Sequence, residues 1–361
     1  MKVFLDTNIF YNNWFLTNAN LQYLFHFLNN EGCELLLSKL VIEETENIRN
    51  RELSLSLAEI QKNVRKAQKL NLQKLNYDPK ELGIDNYDFR SLLKEKVELI
   101  QELDYDCLSH SEIVKRALND KKPFIRGEKG YRDTLIWLSF LDYLVRENIS
   151  EEVVFITENK SDFFKMRDGI PKFHPDLESD IVQRGVKAKI TPFASLFTYV
   201  NSTIDKDDHA IDKNSLEECF EDYVLDCGLD FLKGMSNSNL AEYLENSIFE
   251  TKLNELLDMR IDIFEGIEDP EILHTHTLNS RDVYVSYRYN LRRVFLEIDI
   301  SKFDYSQNMK ELNKIFDYNE ISSEIVTLYC VIRPYFDVSF IYNTRDKTLK
   351  DYEVAELWLR R

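Results

Sequence analysis

Glycine and proline are scarce, at 9 and 7 of 361 residues. That excludes a collagen-like, linker-rich or low-complexity chain. The five cysteines (Cys33, Cys107, Cys219, Cys227, Cys330) are odd in number, scattered and without C-x-x-C spacing. They exclude a disulfide framework and read as buried thiols in a reducing cytoplasm. His274-Thr-His276 is a lone pair with no partner ligands near it in sequence, so no metal role is expected of it. No long uninterrupted apolar run and no signal-peptide pattern occur, so no membrane span is expected. An excess of basic residues is also lacking, since the net charge is −18.

Hydrophobic residues make up 43% of the chain and aromatics 12%, enough for two sizeable cores. The acidity is uneven. Residues 205–361 hold 18 Lys+Arg against 33 Asp+Glu, a net of −15, while residues 1–204 hold 28 against 31, a net of −3. The first half is therefore near neutral, and it contains the acids with the most suggestive placement.

Val3-Phe4-Leu5 reads as a buried strand that stops abruptly at Asp6, followed by Thr7 and Asn8. An aspartate there is by itself often the N-cap of the next helix. Further strand ends carry acids too. Leu35-Leu36-Leu37-Ser38 reads as a second strand, leading into a helix whose first turns hold Glu43 and Glu44. Gly130-Tyr-Arg-Asp133 opens an apolar helix, Thr134 to Val145, and Val153 to Thr157 is another buried strand that runs into Glu158, Asn159 and Asp162. In a parallel sheet with helical crossovers, strand C-terminal ends and helix N-termini share one edge, where such sheets place their ligands. Acids from four distant segments can meet there.

This ordered set resembles the PIN-domain nuclease family, and within it a bacterial PIN-like subgroup. The resemblance rests on Leu5-Asp6-Thr7-Asn8, Val41-Ile42-Glu43-Glu44, Arg132-Asp133 before an apolar helix, and Thr157-x-Asn159-x-x-Asp162-Phe163. Pro123-Phe124 and the stretch Phe173 to Leu177 add to it. It covers about residues 1–200. It implies a three-layer α/β/α domain over 1–204 with a central parallel sheet and a helical insertion at about 45–120. It also implies phosphodiester hydrolysis, with RNA favoured over DNA and an endonucleolytic mode. Toxin-like or antiviral defence roles are implied at the level of analogy. Register with the family favours Glu44 over Glu43. Asn159 stands where many PIN domains have an aspartate, which moves the fourth carboxylate to Asp162.

Clustered carboxylates repel a phosphate unless hard divalent cations lie between them, and an all-oxygen set suits Mg²⁺ or Mn²⁺. Asp6 and Asp133 are the expected central ligands, with Asp162 and Glu44 completing the cluster. Asn8 is expected to orient Asp6, Thr157 to hold the turn at its strand end, and Asn159 to hydrogen-bond or ligate as a neutral group. Arg132 either caps the site electrostatically or pairs with a neighbouring acid.

Two basic groups are candidate phosphate contacts. Lys62, Arg65, Lys66 and Lys69 share one helix face opposite Leu57, Ile60, Val64 and Ala67, although a solvated surface helix would look the same. Lys121, Lys122, Arg126, Lys129 and Arg132 lead into Asp133. Within the insertion, Tyr77-Asp-Pro79 and the stretch from Gly83 to Asp88 are expected to break the helices.

Val186 to Thr191 reads as the last strand of the first domain, Pro192 to Val200 as its closing helix, and Thr203 to His209 as a linker. The second domain, 210–361, reads as α+β. Helices are expected at Leu216–Leu232, Leu240–Met259 and Gln307–Phe316, and antiparallel strands at 283–289, 293–299 and 326–342. No catalytic constellation is visible there. Its acidity suits a protein partner, either a second copy or a regulator. The reading from a different functional class is an inactive PIN-like scaffold for RNA or protein. It is disfavoured because four acids remain.

Overall fold

The computed structural model describes residues 1–71, 87–124, 129–167, 170–203, 217–247, 256–322 and 324–360. The chain forms two compact units, Met1–Thr17 with Leu21–Ile204, and Asp205–Arg361 with Asn18–Asn20.

Unit 1 runs β1 (Lys2–Leu5), α1 (Ala19–Asn30), β2 (Glu34–Ser38), α2 (Lys39–Leu70), α3 (Phe89–Lys96), β3 (Ile100–Leu103), α4 (His110–Leu118) and α5 (Tyr131–Arg146). It continues with β4 (Glu152–Ile156), the one-turn α6 (Lys160–Phe163), the hairpin β5 (Phe164–Arg167) and β6 (Ile170–Phe173), α7 (Pro175–Gln183), β7 (Lys189–Phe193) and α8 (Leu196–Thr203). Five strands form a parallel sheet in the order β3-β2-β1-β4-β7.

The chain steps outward from β1 through β2 to β3, then returns to the other side of β1 as β4. The direction of winding therefore reverses between β1 and β4, and a crevice opens there beyond the strands' C-terminal ends. Val3, Phe4 and Leu5 are fully buried, as expected of a central strand. Phe4 stacks on Phe155 of β4 at 4.9 Å. Trp137 of α5 packs against Phe140, Phe155, Phe163 and Phe173. Each such ring contributes about 1.5–3 kcal/mol by burial. Together they fix α5 and α6 against the sheet.

The region 45–120 is not wholly helical. Ile100–Leu103 pairs in parallel with β2 as the sheet's edge strand. Four residues with only Leu103 buried carry too little pattern to read from sequence. The expected breaks at Tyr77-Asp-Pro79 and Gly83 lie outside the described residues, as do Arg126 and most of the linker. The last strand sits at 189–193 rather than 186–191, and the closing helix at 196–203 rather than 192–200.

Unit 2 runs α9 (Glu217–Gly234), α10 (Asn237–Ser247), β8 (Leu256–Thr277), β9 (Asp282–Ser301), α11 (Lys302–Ile315), β10 (Tyr318–Ile321), β11 (Ile325–Asn343) and β12 (Thr348–Arg360). Its sheet is antiparallel, in the order β10-β11-β9-β8, with β12 also on β11. Phe220, Val224, Leu232, Leu240 and Leu244 of the helices pack on Tyr287, Tyr289, Phe336 and Phe340.

The strands are longer than sequence suggested. The two segments expected at 283–289 and 293–299 are one strand: β8 carries a bulge on either side of the Asn290–Arg292 stretch, and against β11 the extra residue lies in β9 itself, between Asn290 and Val294. The helix expected to reach Met259 is described as far as Ser247, residues 248–255 lie outside the described residues, and Leu256–Met259 already belongs to β8. Pairing with β9 overrides the helical propensity of Leu256, Leu257 and Met259. The helix expected at 307–316 begins earlier, at Lys302, because the Ser301 hydroxyl caps it by accepting from the Asp304 amide at 3.0 Å.

Candidate metal centre

Asp6 stands at the C-terminal end of β1, facing the crevice. Its Oδ1 accepts from the Thr7 amide at 2.8 Å, and its Oδ2 accepts from the Thr157 hydroxyl at 2.6 Å. Thr157 is the residue just past β4, so this bond spans the point where the winding reverses. Asn8 reaches Asp6 Oδ2 at 3.4 Å and the Thr157 hydroxyl at 3.1 Å, and its side-chain oxygen accepts from the Glu158 amide at 3.2 Å. Asn8 and Thr157 therefore hold both the carboxylate and the turn behind it.

Glu44 lies on the second turn of α2, following β2. Its Oε2 accepts from the Thr7 hydroxyl at 2.9 Å, and its other oxygen pairs with Arg132. Glu43 is exposed and points elsewhere, accepting from the Tyr105 hydroxyl at 2.7 Å. Adjacent helix residues diverge by about 100°, so only one of the two can face the crevice.

Asp133 is on the first turn of α5, where the helix dipole favours an anion. Asp162 is on α6. Asn159 joins them, donating to Asp162 Oδ2 at 3.0 Å and reaching Asp133 Oδ1 at 3.5 Å.

Burial pushes the Asp6 carboxyl up to about 7. The Asp133 and Glu44 charges add to the rise, while the Thr157 and Thr7 bonds oppose it. Burial also raises Asp133, joined by repulsion from Asp162 and Glu44 and opposed by Arg132 and Asn159. The four acids thus share one electrostatic field. Among the described residues, no three His, Cys, Asp or Glu side chains close on a common point at ligating distance. Each carboxylate is turned toward protein donors. The donor set still suits a hard divalent ion: it is all oxygen, partly desolvated and destabilised by its own repulsion.

Several contributors were not identified as such from sequence. Lys122 donates to Asp162 Oδ1 at 3.1 Å. Behind it, buried Asp180 accepts from Arg116 at 2.5 Å, Lys121 at 2.5 Å and Trp137 at 3.0 Å. Despite burial, those partners hold Asp180 below the usual carboxylate range. Phe173 packs on Trp137, and the His174 side chain caps α7, so the stretch 173–177 acts as a frame. No sequence pattern marks this network, because its members lie 64 residues apart and meet only in three dimensions.

Of the basic candidates, Arg132 pairs with Glu44, and Lys129 is exposed. Lys62, Arg65, Lys66 and Lys69 are exposed on α2 and line one surface pocket with Ala58 and Gln61. They do not join the acids. Lys62 is 18 residues beyond Glu44 on a continuous helix, about 27 Å at 1.5 Å per residue. The opposite face is itself open to solvent, with Ile60 40% exposed. In unit 2, His274 is buried in β8 with its ring 5.5 Å from that of Tyr284.

No curated protein and no solved structure matches the chain. The family of PIN domains matches residues 3–163, and the region beyond has no family match. That span begins on β1, ends on the last residue of α6 and contains every acid of the crevice. Residues 3–163 thus match the family of PIN domains, whose members are generally nucleases.

Proposed function

We propose that unit 1 is a Mg²⁺- or Mn²⁺-dependent nuclease acting on RNA, with endonucleolytic cleavage. The observation that carries this reading is the convergence of Asp6, Glu44, Asp133 and Asp162 on one crevice, with Asp6 and Asp133 destabilised by burial and by their neighbours' charge. A bound divalent ion would neutralise phosphate charge and make water more acidic there.

The chain's own groups do the rest. Asp6 and Asp133 would hold the ion. Thr157, the Thr7 amide and Asn8 keep Asp6 in one rotamer, so that it is aimed before the ion arrives. Asn159 ties Asp133 to Asp162 and keeps the two acids at fixed separation. Glu44, steadied by Thr7 and Arg132, closes the other side and is the remaining acceptor for a proton from water. The preference for RNA, the endonucleolytic mode, a cytoplasmic site of action and a role in defence follow the family resemblance. Unit 2 is read as the mount for a second copy or a protein regulator, on account of its acidity. No helix among the described residues is long and apolar enough to cross a membrane.

The test is incubation of purified full-length protein with labelled linear RNA, circular RNA, single-stranded DNA and duplex DNA, in Mn²⁺, Mg²⁺ or EDTA. Cleavage of both linear and circular RNA with either metal and none in EDTA is expected. Metal-independent cleavage would refute the metal-dependent reading, and binding of RNA without turnover in any metal would leave the domain a scaffold instead.

A further inference from the structure

Lys122 is held more firmly than a surface ion pair requires. Its ammonium donates to Asp162 Oδ1 at 3.1 Å and to the Ser161 carbonyl at 2.9 Å. Its backbone is clamped on both sides. The amide donates to Asp176 Oδ2 at 3.0 Å, and the carbonyl accepts from Arg116 Nε at 2.9 Å and from Nη2 of the same guanidinium. Arg116 is only 4% exposed and is bonded to Asp180, which Trp137 also holds.

Trp137 lies one turn after Asp133 on α5, so the clamp fixes Lys122 relative to Asp133 itself. Gly130 closes the arrangement. It has φ +98°, and a Cβ there would stand 2.3 Å from the Pro123 carbonyl oxygen, so only glycine lets α5 begin this close to the Lys122-Pro123 segment. Burying an Arg–Asp pair carries a desolvation cost, and the Lys122–Asp162 pair is itself half-buried. The expense makes sense if the position of the ammonium matters.

Charge indicates what that position does. Among the described residues, four carboxylates face the crevice and two cations answer them: Arg132 on Glu44, and Lys122 on Asp162. The remainder is −2, which one divalent ion balances. We propose that Lys122 is a positioning residue that takes up the charge of Asp162, so that the centre binds one divalent ion, with Asp6 and Asp133 as its carboxylates, rather than two. This rests on the metal-dependent reading above and adds the stoichiometry and the residue that sets it.

The experiment is Mn²⁺ titration of the metal-free full chain, with free Mn²⁺ followed by electron paramagnetic resonance. The proteins are wild type, Lys122→Met, Lys122→Arg and Lys129→Met, and thermal melts check that each is folded. Wild type, Lys122→Arg and Lys129→Met should each bind one Mn²⁺, and Lys122→Met should bind two. Lys122→Gln gives the same test if the methionine variant does not fold. Two ions in wild type, or one ion in folded Lys122→Met, overturns the proposal while leaving the metal centre standing. No Mn²⁺ uptake by wild type overturns the metal-dependent reading and the proposal together.

Discussion

The more acidic unit of this protein is not the one with acid chemistry. Unit 2 carries a net −15, yet several of its acids are matched across the sheet to arginines. Asp337 is gripped by Arg288 at 2.6 and 2.7 Å, Glu297 pairs with Arg260, and Glu268 faces Arg292 and Arg333. Antiparallel strands place opposite residues side by side along their whole length, so charge is spread out and answered locally. Unit 1 is near neutral, but its parallel topology gathers four acids from four segments at one crevice. Net charge therefore says little about a site. Convergence and desolvation are what raise Asp6 and Asp133 out of the ordinary carboxylate range.

The largest effect is expected from neutralising the crevice. Asp6→Asn and Asp133→Asn should each lower metal-dependent cleavage by at least about a hundredfold, because each removes a ligand charge. Metal-free stability should stay level or rise. Because the Asp6 carboxyl is raised in the folded protein, its contribution favours folding at low pH and is lost as pH rises from about 4 to about 7. The stability of Asp6→Asn relative to wild type should thus increase across that window, measured by denaturant unfolding without metal. A difference that is flat with pH would mean that Asp6 titrates normally. Asp337→Asn in unit 2 should leave cleavage unchanged.

Next in size is the frame behind the crevice. Trp137→Ala should cost about 3–5 kcal/mol of unit 1 stability, since it empties a buried aromatic cluster. Trp137→Phe keeps an aromatic ring and removes the N–H donated to Asp180, so about 1–3 kcal/mol is expected. Equal costs for the two, in urea unfolding, would show that the hydrogen bond outweighs the packing.

Glu44→Gln should reduce cleavage by roughly tenfold or more, and Glu43→Gln by less than about twofold, in the same kinetic assay. Only Glu44 meets Thr7 and Arg132, whereas Glu43 meets Tyr105. Equal losses would move the second acid away from α2.

The smallest expected effect concerns substrate holding. Replacing Lys62, Arg65, Lys66 and Lys69 together should weaken RNA binding and reduce the slope of log affinity against log salt by about 0.7 for each phosphate no longer neutralised. The same removal at Arg333 and Arg360, on the sheet of unit 2, should leave both unchanged. Because the α2 stripe lies about 27 Å or more from Glu44, short RNAs should be indifferent to it and longer ones sensitive. Fluorescence anisotropy with a length series separates the two.

The buried strands of unit 1 were legible because continuous apolar runs such as Val3-Phe4-Leu5 and Val153 to Ile156 have few other interpretations. Edge strand β3 was not, because half-exposed residues obey weaker constraints. In unit 2, the extent of β9 and the start of β8 were decided by pairing between strands distant in sequence, which overrides local preference. At the site, the acids that follow strands are readable from chain order, since a parallel sheet leaves them on one edge. Only packing of distant segments settles which of them share a field and that Arg116, Asp180 and Trp137 clamp Lys122. The physical reason is range. Periodicity and capping act over a few residues and leave a readable pattern, whereas a charge or hydrogen bond between residues 40 or 64 apart leaves none until the chain has packed.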